Sequence, residues 1–121
     1  MEVLLLGEKC TPYLSIFSKN LDESWKIFTW KPEEGSDILI KKYQSAEIIV
    51  TGFDAMNTGN VFKYISEAKN LKLLQIPFVG VDVNGFRIGY GGGYFDRALT
   101  SLIGSTQRKP LIIGLGYDYQ I

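Results

Sequence analysis

The sequence predicts an α/β domain in three layers, a mostly parallel sheet with helices against its faces. Three observations carry that reading. Continuous apolar runs at Val3–Leu6, Ile48–Val50 and Leu111–Ile113 are what strands covered on both faces require. Segments with apolar residues at helical spacing lie between them, Val61, Tyr64, Ile65 and Ala68 in one and Phe95, Leu99 and Leu102 in another. Two of the runs end on a nearby glycine, Gly7 and Gly52, so each strand has a defined exit. Strands alternating with helices form a parallel sheet, and a ligand of such a sheet lies beyond the carboxyl ends of its strands.

In chain order, Val3-Leu4-Leu5-Leu6 is a short buried strand closed by Gly7. Residues 8–24 are ambiguous, since Tyr13-Leu14-Ser15-Ile16-Phe17 fits either a strand or a helical turn. The aromatic-rich Trp25–Trp30 stretch favours a strand, with both tryptophans as packing residues, and Pro32 and Gly35 mark the turn that ends it. Glu47–Gly52 is the next strand. Asn57-Thr58-Gly59-Asn60 offers caps for a helix from Val61 to Lys69, with Asn70 as its stop. Leu71–Ile76 and Phe78–Val81 read as extended, interrupted by Pro77. Asn84-Gly85 is a strong hairpin signal. A helix from near Tyr94 closes at Gly104-Ser105, and Leu111–Leu115 is the last strand.

Length and composition bound the function. The 121 residues make one domain, with room for one modest core. Lys plus Arg and Asp plus Glu both total 13, so no net field favours nucleic acid or an anionic membrane. Cys10 is the single cysteine, which excludes an intrachain disulfide and fits a reducing compartment. The opening apolar run is too short for a signal peptide and nothing approaches a membrane span, so a cytoplasmic protein is expected. There is no histidine. That excludes Ser-His-Asp and Cys-His catalysis and histidine metal sites, leaving carboxylates, cations, backbone donors and a bound metal ion. Phosphoryl transfer suits this inventory, because it needs positioning and charge neutralisation more than a strong base.

The chemistry concentrates in Arg87-Ile88-Gly89-Tyr90-Gly91-Gly92-Gly93-Tyr94-Phe95-Asp96-Arg97. Glycine inside regular structure costs roughly 0.5–1 kcal/mol relative to alanine, so four within five residues point to a special backbone need. A tight loop with outward N–H groups, leading into a helix start, is a phosphate cradle. Arg87 and Arg97 bring positive charge to it. The plain alternative is a glycine-rich turn with exposed charges on either side. The spacing matches neither the Walker nor the dinucleotide pattern, so the residues alone say anion site and no more.

Ile76–Asp82, Asn84-Gly85, the loop from Arg87 to Arg97, and Leu99 together resemble the C-terminal core of 5-formyltetrahydrofolate cyclo-ligase, or methenyltetrahydrofolate synthetase. Lys109-Pro110, Gly114–Tyr117 and Gln120 resemble the segment downstream of the loop in that family, and the similarity is strongest over residues 71–121. The resemblance implies an ATP-dependent ligase of folate and one-carbon metabolism that closes 5-formyltetrahydrofolate to 5,10-methenyltetrahydrofolate. It implies ATP as co-substrate, Mg2+, a reduced folate as small-molecule partner, and neither nucleic acid nor membrane; it says nothing of oligomeric state. By it, Arg87 neutralises phosphate charge as the catalytic residue, and Ile88, Gly89, Tyr90, Gly91, Gly92, Gly93, Tyr94 and Phe95 join Arg87 in binding ATP and substrate. Asp96 matches a magnesium-ligating position; its plain reading is a carboxylate favouring a helix N-terminus. Arg97 reads as a surface or structural ion pair, and Tyr94 as either packing or ligand contact.

The sequence departs from the family in four places. Phe95 replaces a second tyrosine, and no counterpart is found before Val3 for the family's N-terminal basic residues. The glutamate that helps hold the folate has no match, and a second magnesium-binding aspartate falls beyond Ile121. The chain is therefore expected to be a truncated or diverged cyclo-ligase core. The alternative is a non-catalytic α/β module that binds a nucleotide or phosphorylated metabolite through the same loop.

Overall fold

The structure, a computed structural model, describes residues 1–56, 61–77, 80–81, 87–88 and 110–115. Among these, five parallel strands form one sheet: β1 (Glu2–Leu6), β2 (Lys26–Trp30), β3 (Ile48–Thr51), β4 (Leu73–Pro77) and β7 (Leu111–Leu115), in the order β2-β1-β3-β4-β7. A separate two-stranded antiparallel pair, β5 (Gly80–Val81) and β6 (Arg87–Ile88), comes two residues after β4. The α/β class and the parallel sheet are as the apolar runs require. The antiparallel β5–β6 pair agrees with the Asn-Gly signal, whose turn residues lie outside the described ones.

β1 sits at the centre because it can be buried on both sides. Val3, Leu4, Leu5 and Leu6 are 0–3% exposed, and β1 pairs with β2 from Glu2↔Lys26 to Leu6↔Trp30 and with β3 from Val3↔Ile48 to Leu6↔Thr51. Alternation along the strand then divides the core into two layers. Leu4 and Leu6 join Trp30, Ile49, Leu74 and Ile76 on one face. Val3 and Leu5 join Cys10 on the other, with Phe17, Trp25, Ile27, Ile48 and Val50 packed around them.

Each face has its own helices. α1 (Tyr13–Asn20) brings Phe17 to the second face, so the ambiguous stretch after β1 is helical. Its apolar residues are hard to read from sequence because Tyr13, Leu14 and Ile16 stay 36–53% exposed. α2 (Ser36–Ser45) covers the first face with Leu39 and Tyr43, both fully buried. Sequence reasoning finds no element there, since only two of its ten residues are buried. The segment after β3 begins as the short α3 (Phe53–Met56). The helix expected over Val61–Lys69 is instead a 3₁₀ helix, Phe62–Glu67, with Val61, Phe62, Ile65 and Ala68 buried. Spacings of three residues fit both helix types, so the apolar face survives the change. Pro77 is the last residue of β4, and β5 starts at Gly80; residues 78–79 between them lie outside the described residues. The proposed caps at residues 57–60 and the helix near Tyr94 lie outside the described residues.

Specific polar contacts fix these helices. Tyr43 donates its hydroxyl to the Val61 carbonyl at 2.6 Å in a fully buried position, tying α2 to the 3₁₀ helix. Burial holds that phenol well above its usual pKa. Trp30 donates Nε1–H to the Gly35 carbonyl at 3.0 Å, and Gly35 takes φ +83°, which favours glycine. Glu34 accepts from the Lys31 amide at 2.6 Å and pairs with Lys42 Nζ at 2.8 Å, while Lys42 also donates to the Thr29 carbonyl. The Lys42 hydrogen bond, with the Lys31 amide, holds the Glu34 carboxyl below its ordinary 4.5 against the opposing effect of burial.

These contacts set two measurable outcomes. Tyr43→Phe leaves the Val61 carbonyl without its donor and lowers the unfolding free energy in urea by about 1–2 kcal/mol, while Leu39→Ala costs about 2–5 kcal/mol. Because the Glu34 pKa is depressed on folding, its contribution is complete above pH 4.5 and is lost as pH falls through the folded value. Parallel melts of the wild type and Glu34→Gln therefore show a stability gap at pH 6 that closes on acidification.

Candidate functional site

The sheet order places a topological switch point between β1 and β3. From β1 the chain crosses to β2 by way of α1 on one face. From β3 it crosses to β4 by way of α3 and the 3₁₀ helix on the other. In such sheets the two departing loops leave a crevice beyond the carboxyl ends of the strands.

Here the two loops are fastened by one carboxylate. Asp54, two residues past Gly52, accepts the Glu8 amide on Oδ2 at 2.7 Å and the Lys9 amide on Oδ1 at 3.2 Å. Gly7 has φ +95° and ψ 161°, a conformation other residues rarely adopt. A Cβ on Gly7 would lie 2.7 Å from both Asp54 oxygens, and one on Gly52 would lie 2.8 Å from Oδ1 and 3.2 Å from Lys9 Cβ. The backbone of both glycines extends the sheet's hydrogen bonding, Gly7 N–H to the Trp30 carbonyl at 2.8 Å and Gly52 N–H to the Leu6 carbonyl at 2.9 Å. Two glycines and one aspartate thus define this edge together.

Neighbouring groups narrow its chemistry. Cys10 is buried, with Sγ 3.7 Å from the Val50 carbonyl, and burial, aided by the Asp54 charge, pushes its pKa to about 11. At neutral pH it is a thiol and no nucleophile. Thr51 Oγ1, at the end of β3, is buried with no hydrogen-bond partner among the described residues. Glu8 and Lys9 are exposed. No group of three or more His, Cys, Asp or Glu residues suited to a metal ion occurs among the described residues. No described helix is long and apolar enough to cross a membrane.

Of the site residues expected from sequence, Arg87 and Ile88 form β6, paired with Val81 and Gly80. That hairpin begins three residues beyond Pro77, the last residue of β4, so the chain enters it from the carboxyl edge of the sheet. Gly89, Tyr90, Gly91, Gly92, Gly93, Tyr94, Phe95 and Asp96 lie outside the described residues, as does Arg97. Sequence reasoning misses the Gly7–Asp54–Gly52 device. Its signal is a glycine at the end of each of two neighbouring buried strands, one of them with aspartate two positions later.

Comparison with known proteins bears on this site. The model of the 5-formyltetrahydrofolate cyclo-ligase family matches residues 11–121. A Mycoplasma pneumoniae protein named 5-formyltetrahydrofolate cyclo-ligase is 37% identical over 54 residues, 45% of this chain and 30% of that protein. The aligned part thus spans under a third of the relative's length. No solved structure matches the chain.

The fastening yields a clear expectation. Gly7→Ala lowers stability by about 1–3 kcal/mol from backbone strain alone, with the clash added. Adding Asp54→Ala relieves that clash, so urea unfolding of the double variant shows less loss than the sum of the two single changes. Thr51→Val, which replaces an unpartnered hydroxyl with a methyl group of similar size, unfolds at equal or higher urea concentration than the wild type.

Proposed function

The chain belongs to the 5-formyltetrahydrofolate cyclo-ligase family, and from that membership we propose that it carries out, whole or as the core of a larger enzyme, the ATP- and magnesium-dependent closure of 5-formyltetrahydrofolate to 5,10-methenyltetrahydrofolate. The observation that carries the proposal is the family match across residues 11–121, nearly the whole chain. The sheet's carboxyl edge supports it, because the segment bearing Arg87 and Ile88 leaves from that edge.

In the proposed reaction the formyl oxygen takes the γ-phosphoryl group of ATP, releasing ADP. N10 then attacks the activated formyl carbon and loses its proton to solvent, and the C–O bond breaks to release phosphate. The chain's part is to hold and to neutralise. The amides of Gly89, Gly91, Gly92 and Gly93 would bind phosphate oxygens and the charge that develops on them. Arg87 would supply a guanidinium to the same oxygens, and Tyr90 and Tyr94 would lie against nucleotide and folate. Asp96, a hard oxygen donor, would hold Mg2+, which when bound neutralises phosphate charge.

Mixing the protein with MgATP and 5-formyltetrahydrofolate and recording methenyltetrahydrofolate absorbance tests this. Product forms, chelation of Mg2+ abolishes it, and Arg87→Ala lowers kcat/KM by about 10²-fold or more, the scale of a lost charge-assisted contact in a transition state. Gly92→Ala lowers it as well. ATP binding without product would instead support the non-catalytic module.

A further inference from the structure

β2 is one margin of the five-stranded sheet, so among the described residues no strand lies beside its outer flank. The ladder shows which main-chain groups face that flank. The Lys26 amide donates to the Met1 carbonyl and the Gly7 amide donates to the Trp30 carbonyl, both at 2.8 Å. Residues two apart turn their N–H and C=O groups the same way, so Lys26, Phe28 and Trp30 bond to β1. Ile27 and Thr29 therefore turn theirs outward. An outward row of this kind is a template for another strand.

A second copy of this chain fits the template by symmetry. In an antiparallel β2–β2 pair about a two-fold axis at Phe28, Ile27 of each copy lies opposite Thr29 of the other. Each such pair exchanges two N–H···O=C bonds, and one of them ends on a Thr29 carbonyl. Phe28 would meet its symmetry mate between them as an aromatic cross-strand pair. That carbonyl, however, is taken. Lys42 of α2 donates Nζ both to the Thr29 carbonyl and to Glu34 Oε1, the latter at 2.8 Å. Glu34 is itself held by the Lys31 amide at 2.6 Å, in the 3₁₀ turn Pro32–Glu34 that follows β2. A strand arriving at Thr29 must displace the ammonium from its acceptor, and an acceptor of a charged donor is given up at a cost.

We propose that Lys42, held by Glu34, guards the outer edge of β2 and keeps two copies of this chain from joining their sheets through antiparallel β2–β2 pairing. Charge on an edge strand is one way in which proteins prevent such joining. Here the charge comes from the neighbouring helix and occupies the carbonyl itself. The two-fold symmetry doubles its effect, because one guard stands on each copy and each blocks a different pair. The proposal is independent of the cyclo-ligase reading. The Lys42 and Glu34 side chains are 26% and 33% exposed, and an ion pair so placed adds little to folding, so variants that lack it remain folded.

Sedimentation velocity and amide hydrogen exchange on the full chain, across a concentration series, test this. In the wild type the Phe28 and Trp30 amides are protected, while those of Ile27 and Thr29 exchange freely at every concentration. Lys42→Ala dimerises more tightly than the wild type, by about tenfold for each Thr29 carbonyl released, and its Ile27 and Thr29 amides gain protection as the dimer forms. Lys42→Arg behaves as the wild type. Glu34→Gln, which leaves the lysine in place without its anchor, shows the same change at smaller size and carries the test if Lys42→Ala fails to fold. Adding Ile27→Pro to Lys42→Ala removes an outward N–H without touching the β1 ladder, and the added association disappears. Equal association of wild type and Lys42→Ala would overturn the proposal. So would association of Lys42→Ala that leaves the Ile27 and Thr29 amides unprotected, or concentration-dependent protection of those amides in the wild type.

Discussion

The parallel ladder on both sides of β1 is the constraint from which the rest of this fold descends. A strand whose N–H and C=O groups are paired on two flanks can bury every side chain between Val3 and Leu6, and it does so on both faces. Parallel pairing obliges the chain to cross over between strands, and with both faces apolar the crossovers must cover both. α1 and α2 are therefore assigned to opposite sides by the same alternation that separates Leu4 and Leu6 from Val3 and Leu5. The opposed crossovers then part between the ends of β1 and β3.

Asp54 replaces what solvent would otherwise supply to the amides of Glu8 and Lys9, and its carboxylate lies so close to Gly7 and Gly52 that neither position has space for a side chain. Polar work at the opposite edge is done by Glu47, which accepts the Glu2 amide and pairs with Lys72. The two ends differ in kind. The amino edge is closed by an ion pair on the surface, whereas the carboxyl edge presents Lys9 and receives the hairpin that begins the glycine-rich segment.

Much of the sheet is legible in the sequence because Val3–Leu6, Ile48–Val50 and Leu111–Ile113 stand out as unbroken apolar runs, although of these three only Val3–Leu6 is buried throughout; Ile48 and Val50 are half-buried, and Leu111, in the strand expected to be buried, is 59% exposed. The helices are less legible. α1 buries none of its residues, and α2 buries only Leu39 and Tyr43 while leaving Ile38 42% exposed, which blurs the apolar periodicity. The Val61–Lys69 segment has the expected apolar face and a different helix type, because residues three apart face together in both. For the site, the glycine-rich loop is visible from composition, whereas Asp54 is not. A short acidic side chain after a strand has no distinguishing pattern until the strand beside it is known.

By itself the amino-acid order determined the α/β class, the buried strands and the family, since these depend on local apolar runs and on a contiguous motif from Ile76 to Leu99. Only tertiary structure decided that β1 and β3 are neighbours, and hence that Gly7, Lys9, Gly52 and Asp54 form one edge though far apart in the chain. The reason is physical: strand order depends on which apolar faces can be covered at once, a property of the assembled sheet that no single segment carries.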